Sequence, residues 1–587
     1  MPRLISTLFL ILFATGFAFS QNNLTLKTYP PLLEKLENGG QHEMIIMLSE
    51  QADLSGAYRL STKAEKGRYV WNQLNKTADA TQGEVLAVLE QAGVYYHAYK
   101  VVNCIYTVAD FDVAATLANL PSVSNIYENT YSPLDGPVDM DVVGQRDTNV
   151  LNWGLDMIQA PLVWKAGFTG EGVTVAGQDT GYDWDHIILK PKYRGYRGTD
   201  APDHNYNWHD GIHEISPLAG DSLNPCGLSI NEPCDDNNHG THTMGTMVGS
   251  NGDDYYGVAP DARWIGCRNM ERGNGSPASY MECFEWFLAP TDLNDENPNP
   301  DMSPHVINNS WYCSISEGCD PANSGFMETV VDNLKAAGVV VVVSAGNFGS
   351  SGCETVSRPP AIFTNSFSIG ATASNDTIAR FSSRGPVTID GSNRLKPDVS
   401  APGVSILSST IGDGFASFSG TSMAGPHVAG AVALIISANP AIAGDVEAIE
   451  TILKETADPK TDTTTCGGLS SQNVPNHLYG YGRINVYNAV LAALNYTSAI
   501  EVKDENLPVN VFPNPFTSQL TFDVRTMEGK ATIQLFDLNG KVIYKENFYP
   551  QQERFLTIAV PASLAGLLTY KIVAENGWSG GKVIRID

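Results

Sequence analysis

The stretch SFSGTSMAGPHVAG, residues 417–430, sets a serine among small residues just ahead of the apolar run AVALIISA. A segment with no wet face reads as a helix buried inside a domain, and Pro440 should stop it, since proline biases its predecessor out of helical angles. Pro426 is expected near the helix start, where a missing N–H breaks no helical bond. Ser422 then lies at the N-terminal end, where unpaired N–H groups and the positive end of the dipole suit a group that develops negative charge. A serine at a helix start is ordinarily a cap; it becomes a nucleophile only with a base beside it. Two other stretches offer the missing parts. QDTGYD carries Asp179 after apolar VTVAG, and DDNNHGTHTMGTMVG carries His239 at the head of a small-residue segment. Aspartate, histidine and serine together can run acyl transfer, the histidine taking and returning a proton while the carboxylate holds its tautomer.

Two competing chemistries are weaker. His239 and His242 enclose only Gly240-Thr241, whereas a zincin helix needs histidines four apart with a glutamate between. DTG occurs once, and an aspartic peptidase needs two carboxylates sharing a proton. His242 and His427 are therefore read as structural, and no metal ligand is assigned.

The elements that must position these residues follow from periodicity. Residues 41–130 alternate strand-like EMIIMLSE, helical GEVLAVLEQAG, strand-like YYHAYKVVNCIYTVA and helical DVAATLANL, a small α+β pattern. From Trp153 to Asn495 strands alternate with helices, and runs such as Val339 to Val343 indicate strands covered on both faces, hence a parallel-sheet α/β domain. Ligands collect outside the carboxyl ends of such strands, which is where Asp179 follows VTVAGQ and Asn347 follows VVVVVSAG. After Glu501, alternating strands with an Asn539-Gly540 turn suggest a small β-sandwich.

The opening MPRLISTLFLILFATGFAFS, with Arg3, an apolar run too short for a bilayer and Ala18-Phe19-Ser20, reads as a signal peptide over residues 1–20. No later apolar run is long enough to span a membrane. The formal charge of −28 argues against nucleic acid or an anionic membrane as partner. Cys104 stands alone, and the eight later cysteines form an even set; the close pairs Cys226 with Cys234 and Cys313 with Cys319 are the expected disulfides.

With QDTGYD, HGTHTMGT, SAGN and GTSMAGPHVAG in this order, the chain resembles the subtilisin-like serine peptidases, and the likeness runs through WGLDMIQAPLVW, GVAPDARW, FSSRGP and KPDVSAPG over residues 150–495. The insert before His239 and the segment DWDHIILKPKYRGY resemble the bacillopeptidase-F-like branch. The resemblance implies a secreted serine endopeptidase. Asp179, His239 and Ser422 would be the triad and Asn347 the oxyanion donor, while Ser310, Trp311, Tyr312 and Ser357 would line the substrate site. Residues 21–140 resemble an inhibitory propeptide, and residues 505–587, with VFPNPF and GGKVIRI, a type IX secretion sorting domain. Implied partners are protein or peptide substrates, the chain's own propeptide and the type IX machinery; the implied state is a monomer, released or held at the outer surface. The chemistry requires no cofactor. Acidic loops such as DLNDENPNPD leave a structural calcium open, with no ligands assigned.

Overall fold

Strand β1 (His42–Leu48) is apolar at consecutive positions, so both of its faces must be covered. It forms the middle of an antiparallel sheet in the N-terminal part of the computed structural model. That part also contains α1 (Lys63–Thr81), α2 (Gly83–Ala92), β2 (Tyr96–Tyr99), β3 (Cys104–Ala109), α3 (Phe111–Ala118) and β4 (Val123–Glu128). The order is β2-β3-β1-β4. The structure describes residues 23–496 apart from 135, 144–150, 222, 315–317 and 320–324, and residues 507–586 apart from 508, 538–541, 551–553, 561–565 and 575–576. The expected signal peptide and the Asn539-Gly540 turn lie outside the described residues.

Alternation along β1 sorts its side chains. Met44, Ile46 and Leu48 join a core with Val85, Leu89, Ile105 and Leu117. Ile45 and Met47 face the other way, into a core shared with Met281, Phe284 and Phe326 of the following part. Two differences from the sequence reading have local causes. The single strand expected from YYHAYKVVNCIYTVA is broken into β2 and β3, because the N–H groups of Lys100 and Val101 turn to donate to the Glu285 carboxylate at 2.5 and 2.7 Å. Helix α1 was not anticipated; Thr62 and Glu65 start it with a reciprocal capping box.

Two short strands follow, β5 (Ser132–Pro133) and β6 (Asp139–Val143). The α/β part then contains β7 (Thr174–Asp179), β8 (Trp208–Asp210), α4 (His239–Val248), β9 (Arg263–Arg268), β10 (Asn274–Gly275), α5 (Pro277–Leu288), β11 (Val306–Asn309), α6 (Gly325–Ala336), β12 (Val340–Ser344), β13 (Phe367–Thr372), β14 (Val399–Pro402), β15 (Ile406–Thr410), β16 (Gly414–Ser419) and α7 (Thr421–Ala438). Its main sheet has seven strands in the order β14-β13-β12-β11-β7-β9-β8, paired in parallel throughout. Helix α7 lies against one face, buried from Thr421 to Ile436. Among the described residues it is the one helix long and apolar enough to cross a membrane, and here it is a core helix.

The N-terminal and α/β parts pack as one unit, with no break at about residue 140. Four disulfides join Cys226–Cys234, Cys267–Cys283, Cys313–Cys319 and Cys353–Cys466, and Cys104 is free and buried.

The C-terminal unit is a sandwich of two antiparallel sheets. One has β17 (Asn510–Phe512), β18 (Gln519–Asp523) and β21 (Phe555–Ala559); the other has β19 (Ala531–Phe536), β20 (Val542–Phe548), β22 (Gly566–Ala574) and β23 (Gly577–Arg585). Its strands alternate, β19 burying every second residue, and Phe516, Leu520, Phe522, Ile533 and Ile572 close a core of its own.

Candidate active site

The carboxyl ends of the parallel strands converge as a crevice-forming sheet should. Asp179 is the last residue of β7 and His239 the first of α4. His239 Nδ1 lies 2.7 Å from Asp179 Oδ1, both side chains buried. That contact fixes the ring proton on Nδ1 and leaves Nε2 as the basic nitrogen. Nε2 is buried and has no partner, so the site presents a base whose acceptor lone pair is unspent. Burial works against protonation of His239, but the charge and hydrogen bond of Asp179 outweigh it, and Asp235 adds to them, so the pKa stands above its ordinary value.

A second carboxylate, which sequence reasoning missed, builds the turn under this pair. Asp235 Oδ1 accepts from Thr180 Oγ1 at 2.9 Å, and its Oδ2 accepts from the N–H and hydroxyl of Thr241 at 3.0 and 2.5 Å. Thr180 Oγ1 in turn accepts the Gly240 N–H at 3.0 Å. The available signal was its place four residues before His239, where an acidic side chain meets the free N–H groups of a helix start.

Ser422 occupies the first turn of α7. Its hydroxyl donates to the Ser310 carbonyl at 3.1 Å, and the Ser310 hydroxyl donates to the Ser422 carbonyl at 2.9 Å. The second bond corrects the expectation for Pro426. That proline lies more than a turn inside the helix, at the position whose N–H would have bonded the Ser422 carbonyl. The Ser310 hydroxyl takes the donor's place.

Asn347 follows β12. Its Oδ1 accepts the Thr421 N–H at 2.9 Å and the Thr421 hydroxyl at 3.0 Å, and among the described residues its amide N–H₂ has no acceptor. His242 and His427 are structural, as read. His242 Nε2 lies 3.0 Å from the Ile406 carbonyl with its ring stacked on Phe418; His427 Nδ1 meets the Met423 carbonyl at 2.8 Å. Burial pulls their pKa values down to about 3 and about 4.

Of the residues expected to line the substrate site, Ser310 touches Ser422 and Tyr312 lies two positions further along the segment that follows β11. The Trp311 side chain is a correction. It is buried and stacked on Tyr280 at 4.0 Å between centroids, so only its backbone can face the cleft. Ser357 is half-buried, and its neighbour Arg358 is the side chain that reaches Tyr312. Gln178, polar in the middle of a covered sheet, links the residue just after β9 to the end of β11: it accepts from Asn269 at 3.0 Å and donates to Asn309 at 2.7 Å. Among the described residues no group of three or more His, Cys, Asp or Glu side chains could hold a metal ion.

The cleft holds the chain's own linker. β5 pairs with β10, the Leu134 N–H donates to Gly273 at 2.6 Å, and the Ser132 and Ser314 hydroxyls meet at 2.9 Å. The Val138 N–H then donates to the carbonyl of Ser419, three residues before Ser422, at 2.8 Å, and β6 continues along β16.

Residues 170–482, more than half of the chain, match the model of the subtilase family. The chain belongs to the subtilase family. Serine-type endopeptidases are its members' class. Subtilase relatives include bacillopeptidase F of Bacillus subtilis, 36% identical over 449 residues, which are 73% of this chain but 29% of that protein. Subtilisin E of Bacillus subtilis is 30% identical over 355 residues, 60% of this chain and 75% of the relative. Alkaline elastase YaB of a Bacillus species is 32% identical over 317 residues, 54% of this chain and 67% of the relative. Residues 510–586 match the secretion system C-terminal sorting domain, which directs export to the cell surface or beyond.

Proposed function

We propose that this subtilase is a secreted endopeptidase that hydrolyses proteins through Asp179, His239 and Ser422 and is activated by loss of its N-terminal part. The reading is carried by one observation: the buried His239 has its Nδ1 committed to Asp179 and its Nε2 without a partner. In the reaction the Ser422 hydroxyl leaves the Ser310 carbonyl and passes its proton to His239 Nε2 as Oγ attacks the scissile carbonyl. The oxyanion accepts from the Ser422 N–H and the Asn347 side-chain amide. His239 returns the proton to the leaving amine, the acyl-enzyme forms, and water repeats the cycle.

Residues 23–134 serve as the inhibitor. The linker enters the cleft along β10 and leaves it along β16, so the bond cut on activation lies between Leu134 and Val138. The C-terminal unit sends the protein through the type IX machinery to the cell surface or the medium. The test is Ser422→Ala expressed from Gln21. Wild type should digest casein, react with a serine-directed fluorophosphonate and begin between residues 135 and 138 by intact mass. The variant should do none of these and keep its N-terminal part. An active, undivided wild-type chain would end the propeptide reading, and casein digestion by the variant would end the triad assignment.

A further inference from the structure

The cleft beside Ser422 ends in a cation that the protein does not neutralise. Arg358 Cζ lies 3.9 Å from the centroid of the Phe348 ring and 4.4 Å from that of Tyr312. The two rings meet edge to face, 5.6 Å apart. A guanidinium held against two rings is fixed in position, and neither ring offers its N–H groups an ordinary acceptor. Arg268, Arg272, Arg394 and Arg483 all meet carboxylates. Among the described residues Arg358 makes neither an ion pair nor a hydrogen bond. It is half-buried, as are Tyr312 and Phe348. A cation drawn partly out of water with no acceptor is poised for one brought from outside.

Its place says which part of a ligand would bring it. A carbonyl attacked by Ser422 lies between Ser310 and Asn347, so the side chain of the residue bearing that carbonyl starts there. Tyr312 continues outward from Ser310, and Phe348 is the next residue after Asn347. Ring edges suit methylene groups, and the guanidinium beyond them suits a carboxylate, held by two N–H groups at once. We propose that Arg358 makes this enzyme acid-selective, cleaving after glutamate or aspartate. The inference rests on the peptidase reading above. With a formal charge of −28 the molecule as a whole repels acidic substrates, so selection must come from a contact such as this one. The linker that crosses the cleft has a single ionisable residue between Tyr131 and Val138, namely Asp135; its placement lies outside the described residues.

The test uses processed wild type, R358Q and R358K, with active sites counted by fluorophosphonate labelling. The probes are fluorogenic peptides that differ only in the residue before the cleaved bond: Glu, Asp, Gln, Leu, Phe or Lys. Wild type should favour Glu over Gln in kcat/KM by about tenfold or more, the scale of a charge-assisted pair. R358Q should bring that ratio close to one, and R358K should restore part of it. Equal cleavage of Glu and Gln by wild type, a preference for Phe or Leu, or an unchanged ratio in labelled R358Q would overturn the proposal while leaving the peptidase reading in place. Wild type that takes no label would overturn both.

Discussion

The two regions that flank the α/β part solve the problem of covering a sheet in opposite ways. In the C-terminal unit, strands such as Ala531–Phe536 alternate buried and half-exposed residues, and two such sheets close on each other. In the N-terminal part, His42–Leu48 is apolar on both faces, and one face can be buried only against Met281, Phe284 and Phe326. A strand that alternates needs one partner layer; a strand that does not needs two. The first region is thus self-sufficient. The second is built to sit on the α/β part, and its linker is led through the cleft. Coupling of the N-terminal region to catalysis, and independence of the C-terminal one, is the comparison to break.

The largest effect should come from Ser422→Ala. Casein cleavage should fall by about 10⁶-fold, the magnitude known for the subtilisin triad itself, and removal of the N-terminal part should fall with it. Asn347→Ala should lower kcat by about 100- to 1000-fold, again the scale found in subtilisin; pulse-chase measurement of processing should slow by a similar factor. Fast processing with slow casein cleavage would separate the two events and break the comparison.

Glu285→Ala leaves the Lys100 and Val101 N–H groups without their acceptor, each at a cost of about 1–3 kcal/mol. Binding of the separated N-terminal part to processed enzyme, read by inhibition, should weaken by about 30-fold or more, since two groups are stranded. Glu285→Gln, which keeps a carbonyl oxygen, should recover much of it. Charge and hydrogen bonding from Asp179 hold the His239 pKa above 6.5, so the imidazole stays protonated, and useless as a base, to a higher pH than an ordinary histidine. The acid limb of kcat/KM should have its midpoint above 6.5 and drop about tenfold per pH unit below it. Processing should follow the same limb. Truncation after residue 497 should have the smallest effect, changing kcat/KM by less than about twofold because the removed unit carries its own core. Export should be lost with it.

The candidate site was legible because it is written locally. Asp179, His239, Asn347 and Ser422 each sit in a short stretch whose small residues and polar ends mark a strand end or a helix start. The parallel sheet was legible from runs such as Val339 to Val343, and two of the four disulfides from close cysteine spacing. What escaped depends on contacts between residues far apart in the chain. The break between β2 and β3 is made by Glu285, 184 residues beyond Val101. Gln178 looks misplaced until Asn269 and Asn309 stand beside it. Arg358 acquires meaning only when Phe348 and Tyr312 frame it.

Pro426 and Ser310 also form one device, although 116 positions separate them in the sequence. A proline inside a buried helix strips the Ser422 carbonyl of its helical donor, and the Ser310 hydroxyl supplies another at 2.9 Å. Ser310 is not free to drift alone. Alanine at 310 strands a buried carbonyl as long as proline stands at 426, whereas a residue with an N–H at 426 would supply the helical donor itself. Across relatives the two positions should therefore covary. In directed evolution of the segment that follows β11, position 310 should tolerate little besides serine or threonine as long as proline stays at 426.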